Sequence, residues 1–119
     1  MNIFDRARAW AIDRHIADQE PSRNAYIANI VEELGEYAEA MKEQDESESI
    51  DAIADIIVFS LTELTKMGYD SEKVMDEVLK VVESRVGKWD EVNNKFQKDL
   101  SEEARLNWYK PNYKSCKEQ

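Results

Sequence analysis

The segment Val31–Met41, VEELGEYAEAM, decides how the rest of the chain can fold. Its apolar residues recur at helical spacing, so one face of a helix is expected to pack in the core. Beside that face, Glu32, Glu33 and Glu36 fall within an arc of about 100°. Like charges so close repel one another by about 1 kcal/mol per pair at about 4 Å in water. The next basic residue downstream is Lys42, so we expect a bound cation to neutralise these carboxylates.

The composition favours an all-α domain. The 119 residues include 3 Gly and 2 Pro, and 35% of the residues are charged, which is typical of long helices joined by few turns. We predict a single domain over residues 1–119 with a four-helix-bundle core, in which residues 88–119 form an extended C-terminal tail with a short helix. The net charge of −10 speaks against nucleic acid or an anionic membrane as a partner.

Three sequence features favour a cytoplasmic location. The sequence has no apolar run near the ~20 residues of a membrane span, and the first residues lack the apolar stretch of a signal peptide. The single Cys116 cannot form an internal disulfide, which is compatible with a reducing compartment. We therefore expect a cytoplasmic protein with no membrane partner.

Apolar periodicity predicts four main helices, at residues 3–17, 22–42, 48–66 and 71–86. Ser22 is the expected N-cap of the second helix, and Ser47 or Ser49 that of the third. Gly68 is expected to end the third helix in a left-handed conformation. A short helix capped by Ser101 is predicted at residues 101–107. The tail is expected to be held against the helices by an aromatic cluster: Trp108, Tyr109 and Tyr113.

The third helix is apolar on nearly every side. Its expected core face consists of Ile50, Ile53, Ala54, Ile57, Leu61 and Leu64. A helix of this kind needs burial on more than one side, and a chain of this size offers little surface for that. We therefore predict a homodimer or a dimer-of-dimers tetramer, with the second and third helices at the interface.

Two aspartates, Asp51 and Asp55, lie one turn apart on this apolar helix. A short connection at residues 43–49 would make the second and third helices antiparallel, so that the two acidic groups face each other. Oxygen ligands of this kind suit Mg²⁺ or Mn²⁺. Each part also has a structural explanation, since the glutamates can form a solvated helix surface and Asp51 can stabilise a helix N-terminus. The two clusters together, without basic partners, favour a metal site.

Candidate substrate-binding residues are less distinctive. Basic residues near the end of the fourth helix can bind phosphate or simply favour the helix dipole: Lys80, Arg85 and Lys88. Arg23 and Asn24, at the start of the second helix, can line a pocket. Three rings can stack on a base or pack in the core: Trp10, His15 and Tyr26.

The chain resembles the all-α nucleoside triphosphate pyrophosphohydrolases of the MazG type, which are related to the dimeric dUTPases and dCTP pyrophosphatases. The resemblance is carried by EELGE at residues 32–36, by DAIAD at 51–55 with the following IIVFSL, and by PSRN at 21–24. Later runs, ESRVGKW, FQKD and WYKPNY, are similar to short phage-type members. Some of those, the MazZ type, favour dGTP. A phage-encoded member would act in the host cytoplasm.

This resemblance implies hydrolysis of a (d)NTP, with a purine dNTP such as dGTP as a candidate, to a monophosphate and pyrophosphate. It implies two or more Mg²⁺ ions, with Mn²⁺ as a substitute, and Glu33, Glu36 and Asp55 as ligands. Glu32 would hold another ion or orient the water, and either Glu32 or Glu36 would accept the proton of that water. The second motif departs from the family at Ala52, where members carry Glu, so Asp51 would serve as the replacement ligand.

Other functions are compatible with the same residues. The substrate can instead be phosphoribosyl-ATP, or a pyrimidine nucleotide as in the dCTP and dUTP enzymes. A non-enzymatic alternative is an acidic helical module whose glutamates bind a basic partner.

Overall fold

The computed structural model describes residues 1–118, which fall into two compact units: Met1–Ser71 with Glu118, and Glu72–Lys117. The elements in chain order are α1 (Ile3–Asp13), α2 (Arg23–Lys42), α3 (Glu46–Lys66), α4 (Ser71–Ser84), β1 (Gly87–Asp90), β2 (Lys95–Lys98) and α5 (Glu102–Leu106), followed by a 3₁₀ turn (Tyr113–Cys116). The predicted all-α class is confirmed, although the hairpin of β1 and β2 was not predicted.

The first unit is built around α3. Both α1 and α2 pack against it, and the three-residue connection between α2 and α3 makes these two helices antiparallel. The buried side chains at these contacts are mostly small, which lets the helices approach closely: Ala11, Ala40, Ala52, Ser49 and Leu61. Within residues 1–118, none of the helices has the length and apolar content needed to span a membrane.

Helix ends follow local capping, which corrects two predictions. Helix α1 ends at Asp13 rather than at residue 17, because His15 takes a φ of 59° and the Ile16 N–H donates to the Ala11 carbonyl at 2.9 Å. Helix α3 begins earlier than predicted, with Asp45 as its N-cap instead of Ser47 or Ser49. The Asp45 carboxylate accepts the backbone N–H three residues ahead at 3.1 Å.

The remaining caps of the first unit are as predicted. The Ser22 hydroxyl accepts the Ala25 N–H at the start of α2. Gly68 has a φ of +88°, and the Tyr69 N–H donates to the Leu64 carbonyl, which closes the end of α3. The chain then returns at Glu118, whose N–H donates to the Gly68 carbonyl and whose carboxylate pairs with Arg8 at 2.9 Å.

The predicted core face of α3 is only partly buried. Leu61 is 7% exposed, but Ile50, Ile53 and Ile57 are 60%, 47% and 52% exposed, so their assignment to the core of this chain was wrong. Helix α2 likewise exposes an apolar stripe at helical spacing, formed by Ile27, Val31, Leu34 and Met41. The two stripes meet at a shallow cavity that Met41, Ile50 and Ile53 line together.

The second unit contains most of α4, the hairpin and the aromatic tail. Strands β1 and β2 are antiparallel and pair Trp89 with Phe96. The Arg85 guanidinium lies 5.0 Å from the centre of the Trp108 ring, and the Tyr109 N–H donates to the Ser84 hydroxyl at 2.7 Å. The tail therefore packs against the end of α4 through the predicted Trp108 and Tyr109, and α5 starts at the predicted cap Ser101.

Candidate functional site

Glu33 is the most unusual side chain of the first unit. It lies on the face of α2 that packs against α3, and it is 8% exposed. Its Oε2 atom is buried and has no hydrogen-bond partner. A buried carboxylate oxygen without a partner is costly for stability, so packing alone does not explain a glutamate at this position.

Other carboxylates surround Glu33. Burial, together with a hydrogen bond to Glu36 and repulsion from Glu36, Asp55 and Glu32, raises the pKa of Glu33 from 4.5 to about 7. Glu32 and Glu36 are exposed, whereas Asp55 on α3 is half-buried. Glu33 therefore interacts electrostatically with three of the other predicted acidic residues, Glu32, Glu36 and Asp55.

Asp51 lies one helical turn before Asp55 and is the fifth of the predicted acidic residues. It is exposed, and it is not among the charges that act on the pKa of Glu33. Its neighbour Ala52 is 2% exposed and packed in the core. A glutamate at position 52 would have to displace this packing. Asp51 is about 100° around α3 from position 52, so its carboxylate extends from a different point on the helix than a glutamate at position 52 would.

The cluster has the chemistry of a divalent-cation site but not a finished coordination shell. Carboxylate oxygens are the ligands that Mg²⁺ and Mn²⁺ prefer, and the unpartnered Glu33 oxygen is free to take one. Within the described residues 1–118, no three His, Cys, Asp or Glu side chains are already arranged to hold an ion. Glu32 and Glu36 are exposed side chains that can change rotamer, so the residues fit a cation that draws them together.

The basic residues nominated for phosphate lie in the second unit. Lys80 pairs with Asp76 at 3.2 Å, and its ammonium group lies 5.7 Å from the centre of the Tyr109 ring. Arg85 stacks on Trp108 as described above, and its Nε atom is buried without a partner. Lys88 is exposed on β1.

A cavity of about 140 Å³ lies in the first unit beside the carboxylates. Residues of α1, α2 and α3 line it, namely Trp10, Ile16, Ala25, Tyr26, Asn29, Val58, Phe59, Thr62, Glu63 and Lys66. Asn29 precedes Glu33 by one helical turn on α2, and Phe59 follows Asp55 by one turn on α3. The cavity therefore begins about 6 Å along each helix from the cluster.

Two of the residues predicted from the sequence to bind the substrate line this cavity. Trp10 and Tyr26 were nominated and line it, whereas Asn24 is exposed and His15 pairs with Asp18 at 3.1 Å outside it. The polar residues of its α3 wall, Thr62, Glu63 and Lys66, were missed as site residues. Asp55 carried a signal for them, because residues two and three turns beyond it on the helix lie on the same side of α3.

Comparison with known proteins identifies one family. Residues 10–81 match the family described as phosphoribosyl-ATP pyrophosphohydrolase. The matched segment contains both acidic helices and every residue that lines the cavity. Searches of curated proteins and of solved structures gave no match.

Proposed function

The chain belongs to the phosphoribosyl-ATP pyrophosphohydrolase family of the MazG-like all-α superfamily, and from this premise we propose that it is a Mg²⁺-dependent (d)NTP pyrophosphohydrolase. Members of the family are pyrophosphohydrolases, so the chain is a hydrolase of acid anhydrides that acts on nucleotides. The proposed reaction converts a nucleoside triphosphate, with a purine dNTP such as dGTP as the first candidate, to a monophosphate and pyrophosphate in the cytoplasm. The observation that carries the metal dependence is the buried Oε2 atom of Glu33, which has no hydrogen-bond partner and belongs to a carboxylate surrounded by other carboxylates.

Individual carboxylates take different parts in this proposal. Glu33, Glu36 and Asp55 would hold the first ion, and Glu32 and Asp51 are the residues left for a second. The bound Mg²⁺ would neutralise phosphate charge and increase the acidity of a water molecule. Glu36 and Glu32 are exposed enough to reach that water, so either can accept its proton.

We propose that Lys80, Arg85 and Lys88 bind phosphate and that Asn24 lines the substrate pocket. Cationic groups would stabilise the charge that develops on the leaving pyrophosphate. The partners of Lys80 and the stacked position of Arg85 support a structural role for these two within the second unit as well. Replacing Lys88, which is exposed on β1, therefore tests phosphate binding with the least disturbance of packing.

The decisive experiment measures products after incubation of each dNTP with Mg²⁺. We expect monophosphate and pyrophosphate in equal amounts from at least one nucleotide. Glu36→Gln and Asp55→Asn are expected to lower turnover by roughly 10²-fold or more while leaving the helical content unchanged. Glu48→Gln, which changes an exposed glutamate outside the cluster, is the matched control. Absence of any monophosphate would refute the reaction, and full activity in either variant would remove that residue from the site.

Phosphoribosyl-ATP is the second candidate substrate, because the matching family is described by that activity. It belongs in the same nucleotide panel. Turnover of phosphoribosyl-ATP with no turnover of simple nucleoside triphosphates would replace the first candidate by the second. The carboxylate assignments would be unaffected, since both reactions break a phosphoric anhydride bond.

We also propose that a second copy of the chain covers the exposed apolar stripes of α2 and α3. Four apolar residues on α2 and three on α3 are at least 47% exposed, and contiguous patches of this kind mark interaction surfaces. Light scattering should therefore give a dimer or a tetramer. Leu34→Glu and Ile53→Glu are expected to lower the oligomeric state, whereas Val92→Glu, at an exposed apolar residue of the second unit, should not. A wild-type monomer would contradict this assembly.

A further inference from the structure

The cavity beside the carboxylate cluster has an aromatic lining and a volume on the scale of a flat aromatic ligand. Its volume is about 140 Å³, close to the roughly 150 Å³ of an engineered apolar cavity that binds benzene. Trp10, Tyr26 and Phe59 form aromatic walls. Because the cavity lies one helical turn from the carboxylates, a nucleotide whose phosphates meet the cluster would bring its base to this cavity.

A chain of hydrogen bonds fixes one of these walls. The Ser60 hydroxyl lies 2.8 Å from the Ile56 carbonyl, to which it donates. The Tyr26 hydroxyl lies 2.7 Å from the same serine oxygen and therefore donates to it. Since the Tyr26 hydroxyl is already used, its ring serves as a rigid apolar surface, and reading of the base falls to other groups.

Three polar side chains of α3 remain available on the cavity wall. The Thr62 hydroxyl is buried and has no hydrogen-bond partner. Glu63 and Lys66 are half-buried, and neither takes part in the ion pairs found among residues 1–118. Opposite charges one turn apart on a helix usually pair with each other. Both side chains line the cavity and lack an ion-pair partner among the described residues, so one carboxylate acceptor and one ammonium donor are available to a ligand there.

We propose that this cavity receives a guanine base and that Glu63 and Lys66 read it. The two oxygens of the Glu63 carboxylate would accept from the adjacent N1–H and N2–H donors of guanine, while the Lys66 ammonium group donates to O6. This inference rests on the proposed function for the position of the phosphates, and deepens it by assigning the base and the residues that select it.

The other bases fit this pair less well. A carboxylate is an acceptor at both oxygens, so it needs two neighbouring donors. Adenine and cytosine present one amino group beside a ring nitrogen that is itself an acceptor, and the uracil and thymine edge carries two carbonyls. Each would place an acceptor against a Glu63 oxygen, and a buried acceptor left facing another one is strongly disfavoured.

The test compares kcat/KM for dGTP and dITP, which lacks the 2-amino group, with the other dNTPs as a panel. Wild-type protein should prefer dGTP over dITP by about tenfold or more, because one charge-assisted hydrogen bond is lost. Glu63→Gln should lower kcat/KM for dGTP by roughly 10- to 100-fold and bring the dGTP/dITP ratio close to one. Glu48→Gln, on the same helix but away from the cavity, should keep the wild-type ratio.

Equilibrium binding of dGMP and dIMP tests the base assignment separately from the proposed reaction, because it needs no turnover. If no nucleotide is hydrolysed but dGMP binds wild-type protein more tightly than dIMP, and Glu63→Gln removes the difference, the proposed reaction fails and the base assignment stands. A ratio unchanged by Glu63→Gln, an equal loss for all nucleotides, or a wild-type preference for a pyrimidine would overturn the assignment. If Glu63→Gln does not fold, Lys66→Met tests the contact to O6 instead: it should weaken binding of dGMP and dIMP equally, because both carry O6, and leave binding of dAMP, which lacks O6, unchanged, whereas unchanged binding of dGMP would overturn the assignment.

Discussion

Glu33 provides the most demanding prediction, because its protonation links pH, stability and metal binding. Its pKa of about 7 lies above the ordinary value of 4.5 for glutamate. In metal-free protein, the raised pKa means that the folded state favours the protonated acid. The stability that this adds is fully present below about pH 4.5 and is lost as the pH rises through about 7.

A bound divalent cation reverses the preference, because a carboxylate must lose its proton to act as a ligand. If one proton leaves Glu33 on binding, the apparent Kd should rise by about tenfold for each pH unit below 7 and be nearly constant above it. Between pH 7 and pH 5 the loss of affinity should thus be on the order of 100-fold. With a glutamate of ordinary pKa, affinity would be almost flat over that range.

The assay is calorimetric titration with Mn²⁺ at several pH values, together with thermal unfolding with and without the ion. At a fixed ligand concentration, a ligand that binds the native state raises the unfolding temperature more the more tightly it binds, so the metal-induced shift should shrink as the pH falls. Glu33→Gln cannot ionise, so it should remove the pH step of the metal-free protein and most of the metal-induced shift. Glu48→Gln should behave like the wild type.

Two results would refute this reasoning. A wild-type Mn²⁺ affinity that does not change between pH 5 and pH 7 would mean that Glu33 is not a ligand or is not protonated in the free protein. A Glu33→Gln variant that keeps the wild-type metal-induced shift would place the ion elsewhere.

Three stability measurements test the local structure. A Cβ added at Gly87 would collide with the Gln97 carbonyl, so Gly87→Ala should lower the stability of the hairpin by about 1–3 kcal/mol. This loss should appear as faster hydrogen exchange of the hairpin amides, and unchanged exchange would show that the strands are not so close. Tyr26→Phe removes the 2.7 Å hydrogen bond to Ser60 and should lower the free energy of unfolding in urea by about 1 kcal/mol, with no change if the hydroxyl is hydrated instead. Ser22→Ala removes the N-cap of α2 and should cost about 0.5–2 kcal/mol in the same assay, whereas an equal stability would argue against the cap.

Much of the architecture was readable from local patterns. The long helices follow from apolar periodicity, and the ends at Ser22 and Gly68 follow from capping chemistry, which involves residues only a few positions apart. The errors at the ends of α1 and α3 have the same local origin. Several capping residues compete there, and the sequence does not show that Asp45 is the one that accepts the backbone N–H.

The hairpin was missed because its strands carry little of the signal that identifies strands. Seven of the eight strand residues are exposed. Because neither strand has a buried face, their sequences lack the alternation of apolar and polar residues by which a half-buried strand is recognised. The information lies instead in the connection, where the Asp90 carboxylate accepts the Val92 and Asn93 N–H groups and Asn94 takes a φ of 53°.

The acidic motif alone predicted a cluster of carboxylates on two helices, because helical spacing and a short connection determine which residues share a face. Tertiary structure decided how these carboxylates differ. Packing of α2 on α3 buries Glu33, leaves Glu32, Glu36 and Asp51 exposed, and places Asp55 between these extremes. Burial depends on contacts between segments distant in the chain, and it is burial that leaves one oxygen without a partner and raises one pKa.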